Sequence, residues 1–167
     1  MHVLACRTFL DAGGNVMDEP DTDPALAQLD ALVGQWTMEA GPPGGPPWPG
    51  SGRVTFEWLE GGSFLVQRWT IDVPEAPNGI AIIGRADEPG RFRQHYFDSR
   101  GVHRVYEMTL DQGVWTLSRD APDPFPQRFT RTLGEDGATI VGRWEKAPDG
   151  RTWETDFDMT YRRIADR

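Results

Sequence analysis

Residues 53–72, RVTFEWLEGGSFLVQRWTID, constrain the fold of this chain more than any other stretch. Two runs of alternating apolar and polar residues flank Glu60-Gly61-Gly62. That pattern predicts a β-hairpin, with the glycines supplying the positive φ of the turn. Val54, Phe56 and Trp58 share one face of the first run, and Leu65, Gln67, Trp69 and Ile71 share one face of the second. The same rhythm continues almost to residue 163, so most of the chain reads as more of this hairpin.

Before it, residues 1–23 lack sustained periodicity and end in the acidic, proline-punctuated MDEPDTDP. They read as a flexible tail ahead of one domain spanning residues 24–167. Asp23-Pro24 is a helix entry, an acidic N-cap followed by proline at the first helical position. Leu26, Leu29, Leu32 and Val33 recur at helical spacing and Gly34 stops the run, which predicts one short helix over 24–33. The first strand follows, over about 34–40. The proline- and glycine-rich segment 41–50, GPPGGPPWPG, suits neither helix nor strand. It reads as a linker turning a corner in preference to a lid over a barrel mouth.

After the hairpin, further strands are predicted over 79–86, 92–99, 102–111, 114–120, 127–133, 139–146 and 152–163, each bounded by a turn signal such as Ser99-Arg100-Gly101 or Pro148-Asp149-Gly150. Ten strands with short connections and no second helix for a crossover must pair antiparallel, in up-and-down order. An open sheet of ten would leave two exposed edges, and closure removes them. The predicted fold class is therefore all-β, a closed antiparallel up-and-down barrel of about ten strands with one short N-terminal helix. A barrel of more than eight strands is wide enough to hold something besides its own side chains.

Composition narrows the occupant. The formal charge of −9, from 26 acidic against 17 basic residues, repels phosphate backbones and anionic headgroups, which argues against nucleic-acid and membrane-surface partners. Cys6 is the single cysteine, so no intrachain disulfide and no cysteine zinc cluster can form, and a cytoplasmic location is expected. No apolar run approaches the roughly 18–20 residues that span a bilayer.

Gly34-Gln35-Trp36 after a short helix, with Tyr161-Arg162-Arg163 ending the last strand, resembles the calycin signature. That resemblance implies that Trp36 plugs one end of the barrel beneath Arg162 or Arg163, in a cation–π arrangement that is structural. The strand count is more similar to fatty-acid-binding and nitrobindin-type barrels than to eight-stranded lipocalins. FEWLEGGSFLVQRW (56–69), AIIG (81–84), YFDSRGVHRVYEM (96–108) and GRWE (142–145) resemble a bacterial calycin-like family of unknown function, which implies no particular activity. Nitrobindin-type barrels ligate haem through a histidine on a late strand. Here residues 152–163 carry Asp156 and Asp158 and no histidine, so no haem is expected, nor any other cofactor.

Alternation predicts inward sets Phe56/Trp58, Leu65/Trp69, Ile80/Ile82, Tyr106/Met108, Trp115/Leu117, Ile140/Trp144 and Phe157/Met159/Tyr161. Gln67, Arg119 and Arg131 fall on the same faces. For residues 93–97 either His95/Phe97 or Gln94/Tyr96 can be inside. His103 shares its face with Val105 and Glu107, so His95 and His103 read best as a surface pair. Asp156 and Asp158 are assigned to a solvated outer face, and no residue spacing identifies a metal site.

A few polar groups among aromatic walls are what a small-molecule site requires. The candidate ligand-binding wall is Trp58, Gln67, Trp69, Tyr106, Met108, Trp115, Arg131 and Trp144, with Tyr96 or His95 added according to register. The leading expectation is binding of a small hydrophobic or aromatic molecule within the barrel. The alternatives are a small barrel enzyme, such as an isomerase, cyclase or hydrolase acting on a buried hydrophobic substrate, and a filled barrel acting as an interaction module. No catalytic residue is identified, and the oligomeric state is left open.

Overall fold

A computed structural model describes residues 24–120 and 125–165, with the backbone alone for Pro24 and Ala25. The tail expected over residues 1–23, and Cys6 within it, lie outside the described residues. The described chain is a closed barrel of ten antiparallel strands, each hydrogen-bonded to its sequence neighbours and β1 joining β10. The strands are β1 (Gly34–Gly41), β2 (Gly52–Trp58), β3 (Leu65–Ile71), β4 (Gly79–Arg85), β5 (Phe92–Asp98), β6 (His103–Asp111), β7 (Val114–Arg119), β8 (Gln127–Leu133), β9 (Thr139–Lys146) and β10 (Glu154–Arg163). Closure is carried by the register Trp36↔Arg163 through Gly41↔Asp158. The opening hairpin forms as its pattern requires, with Val54 opposite Trp69 and Gly61 and Gly62 at φ 93° and 68°.

The helix is shorter than its leucine spacing predicts. α1 (Pro24–Gln28) gives way to a 3-10 turn over Leu29–Ala31. Leu29 and Leu32 are fully buried, so this segment closes one end of the barrel. Trp36 beside it donates its indole N–H to the Leu32 carbonyl at 2.8 Å. The Arg163 guanidinium lies 4.1 Å from the Trp36 ring and donates to the carbonyls of Val33, Ala31 (2.7 Å) and Gly137 (3.0 Å). Of the two arginines open from the sequence, Arg163 is the one above the plug. As the last residue of the turn, Ala31 has a carbonyl with no partner within the helical segment, and it receives that guanidinium.

Inside, the period-two pattern holds around the barrel with one correction. Ile80 and Ile82 do not point inward. Ala81 and Ile83 do, both fully buried. The run GIAII is apolar on both faces, so hydrophobicity does not fix its register, and the bulkier pair was the natural choice for the core. At Gly79 and Ala81 the interior takes small residues on β4 because the side chains beside them are large. Ala81 lies opposite Gln67 and Tyr96. A Cβ on Gly79 would come within 2.2 Å of the Trp69 ring. Outside, Ile80 and Ile82 are half-buried beside Phe97 and His95 on β5.

On β5 the open alternative resolves to Gln94 and Tyr96 inside. His95 and His103 stack on the outer face, with ring centroids 6.1 Å apart. β10 begins at Glu154 and its pairing with β9 shifts between Thr155 and Phe157. Asp158 binds Arg143 across the outer face at 2.6 Å, while Asp156, at the irregularity, takes the Lys146 ammonium at 2.9 Å.

Candidate functional site

The two ends of the barrel differ. Around Trp36 the interior is apolar, with Val54, Phe56, Leu65, Ile83, Phe92 and Ile140 all buried. At the other end Tyr96, Trp144, Phe157 and Met159 are only half-buried, and the inner register of the open half carries Arg104, Arg119, Arg131 and Lys146 against Asp98 and Glu154. An acidic protein thus turns cations into its barrel.

Arg131 sits between these halves. It is 3% exposed, and its guanidinium carbon lies 3.6 Å from the Phe129 ring centre, 4.1 Å from Tyr161 and 4.4 Å from Trp115. Room for its stem comes from Gly142, directly opposite on β9, where a Cβ would lie 2.3 Å from Arg131 Cγ. Three aromatic faces stabilise the cation electrostatically. Nη2 has the Met159 sulfur at 3.2 Å, whereas Nε and Nη1 have no hydrogen-bond partner. Burial pushes the pKa down to about 10, opposed by Tyr161, so the group stays charged at neutral pH. Two more orphans are buried in the same interior, the indole N–H of Trp115 and Oε1 of Gln94. Buried polar atoms without partners are costly, and their clustering here needs a reason.

The mouth is organised differently, because its polar groups are satisfied. The Tyr96 hydroxyl donates to Asp98 at 2.7 Å, and the same carboxylate receives Arg100 Nη2 at 2.6 Å and the backbone N–H groups of Arg100 and Val102. Burial alone would raise the Asp98 pKa. The hydrogen bonds from Arg100 and Tyr96 outweigh it and hold the carboxyl well below its usual range. Tyr96 is pushed up, by burial first and then by Asp98. Across the mouth, Gln127 Oε1 accepts from both Arg104 and the Tyr106 hydroxyl, the latter at 2.9 Å.

Aromatic rings connect the mouth to the cage. Trp48, half exposed on the proline-rich loop, lies 5.8 Å from Phe157, which is 6.3 Å from Trp144, itself 4.6 Å from Phe129. That loop is tied to β10 by the Gly44 N–H on Asp158 at 2.9 Å. A segment read as a linker therefore also places an indole beside the opening.

Of the residues singled out from sequence, Trp69, Tyr96, Tyr106 and Trp144 gather in the open half, with Trp69 stacked on Tyr96 at 5.1 Å and Tyr106 edge-on to Trp144 at 5.7 Å. Gln67, Met108, Trp115 and Arg131 line the buried middle. Trp58 stands apart at the closed end, where its indole N–H donates to Asp30 at 2.7 Å. Arg104, Asp98 and Gln127 were not singled out, although alternation from Tyr96, Tyr106 and Phe129 puts each on the inner face. Met159 was assigned inward, but nothing in the sequence marks its contact with Arg131. Among the described residues no group of three or more His, Cys, Asp or Glu side chains could hold a metal ion. No described helix is long and apolar enough to cross a membrane.

No family model matches this chain, and no curated protein is similar to it in sequence. Among solved structures it is similar to the crystal structure of Rv2717c from M. tuberculosis, with 18% identity and a TM-score of 0.63 over 87% of this chain and 100% of that one. At that identity the likeness shows the barrel and nothing about its use.

Proposed function

We propose that the barrel binds a small, largely apolar or aromatic molecule that enters past Trp48 and rests against Trp69, Tyr96, Tyr106 and Trp144, with its polar group directed at Arg131. One observation carries this reading: a buried guanidinium with two of its nitrogens, Nε and Nη1, left without hydrogen-bond partners. A cation buried for the fold alone is better replaced by packed hydrophobic side chains, whereas a binding site needs such a group and tolerates its cost. The surrounding aromatics supply burial area, and Gln67 and Gln94 add neutral polar contacts on other strands of the same wall. A cytoplasmic setting fits the single cysteine.

The enzymatic alternative needs a proton donor on the inner wall. Tyr96 and Tyr106 are the nearest candidates, yet Tyr96 donates to Asp98 and Tyr106 to Gln127. Binding is therefore the preferred reading.

Tryptophan fluorescence tests it. Titration with fatty acids, aromatic acids and flat neutral polycycles should quench emission saturably for at least one class. No response from any class, with no mass retained in native mass spectrometry of protein from its own host, would leave the barrel as an interaction module.

A further inference from the structure

Of the side chains around Arg131, Met159 alone is not fully packed away from the open half. Met159 is half-buried, its thioether sulfur is 3.2 Å from Nη2, and its strand partners are Ala40 on β1 and Gly142 on β9. Neither partner has a side chain large enough to pin it, and an unbranched thioether changes rotamer easily. Sulfur is a weak acceptor, so this contact satisfies the cation poorly compared with an oxygen anion. The other walls of the cage, Phe129, Tyr161 and Trp115, are each 2% exposed or less and packed into the core.

We infer that Met159 is a displaceable cover over Arg131, and that the ligand is a carboxylic acid whose carboxylate takes the place of the sulfur. This rests on the reading of the barrel as a binding site, and narrows it to acids. Two carboxylate oxygens can serve two guanidinium N–H groups at once, where the thioether serves one. Of the other inner-register charges in the open half, Lys146 lies against Asp156, Arg104 is held by Gln127, and the Asp98 carboxylate is taken up by Arg100 and Tyr96. No described carboxylate bonds to Arg131, so an incoming one meets no built-in competitor.

The test supplies the carboxylate from within. Met159→Glu carries a carboxylate to about the position of the sulfur, and Met159→Leu is the volume-matched control without an acceptor. The melting temperature of the Glu variant should rise by about 2–6 °C over the wild type, while that of Leu should not. A buried carboxylate with no waiting cation would do the reverse, so a Glu variant melting below the Leu variant overturns the proposal.

Ligand probes decide independently of that variant's folding. Sodium benzoate should bind the wild type about 10- to 100-fold more tightly than benzyl alcohol, and this preference should vanish in Arg131→Met and Met159→Glu. Equal binding of the two probes would overturn the acid preference yet leave the barrel a binding site. A stabilised Glu variant beside a wild type that responds to neither probe would instead retain the acceptor position and remove the ligand reading.

Discussion

Two arginines stand over aromatic rings in this barrel, and they are finished differently. Arg163 covers Trp36 at the closed end and donates to three backbone carbonyls, tying the 3-10 turn and the β8–β9 connection to the last strand. Arg131 is surrounded by three rings and has a thioether on Nη2 and no hydrogen-bond partner on Nε or Nη1. The same cation–π chemistry thus serves a completed structural joint in one place and an incomplete one in the other. Because an unpaired buried cation opposes folding, the incomplete joint points to a use outside the fold.

The closed end should be the expensive one to damage. Trp36→Ala deletes a fully buried indole and should lose about 3–5 kcal/mol in urea unfolding, with ligand affinity of the folded fraction nearly unchanged. A variant as stable as the wild type would show that Trp36 is not the plug. Arg163→Met should lose about 1.5–3 kcal/mol, because three carbonyls lose a charged donor.

Packing around the second arginine gives the next effect. Gly142→Ala would place a Cβ 2.3 Å from Arg131 Cγ and 2.8 Å from the Thr130 carbonyl oxygen. It should cost about 1–3 kcal/mol and weaken any ligand held by Arg131. Loss of stability without loss of binding would separate the guanidinium from the site.

The hairpin and the strand count were readable because each is written locally, as alternation and turn glycines. The Trp36–arginine pair, in contrast, was implied only by resemblance to the calycin signature, which left Arg162 and Arg163 open. The face of β4 was not readable. Its residues 79–83 are apolar on both sides, and only the size of Trp69 and Tyr96 on the flanking strands decides that glycine and alanine go inside. The wall residues followed from alternation, but what distinguishes Arg131 among them did not. Its lack of partners depends on Gly142, Met159, Tyr161 and Trp115, drawn from three other strands, and no spacing in the sequence encodes an absent acceptor.

The mouth adds a pH-dependent contrast. Asp98 is held below its ordinary value of 3.8, so its contribution is present above about pH 4 and is lost as the pH falls toward its lowered folded value. Asp98→Asn should flatten the acid limb of stability against pH. An unchanged limb would mean that the Tyr96–Asp98–Arg100 network does not brace the opening. At the small end of the scale, His95→Ala on the outer face should change stability by less than about 0.5 kcal/mol and leave ligand titrations untouched.

The central claim is that Arg131 is kept for a ligand and Arg163 for the fold. The most direct measurement is the urea unfolding free energy of Arg131→Met in the absence of any ligand, beside that of Arg163→Met. If the claim holds, Arg131→Met is as stable as the wild type or more stable, by up to about 4 kcal/mol, since a packed apolar side chain replaces an unsatisfied cation. If Arg131→Met instead loses as much as Arg163→Met, both arginines are structural and the claim is wrong.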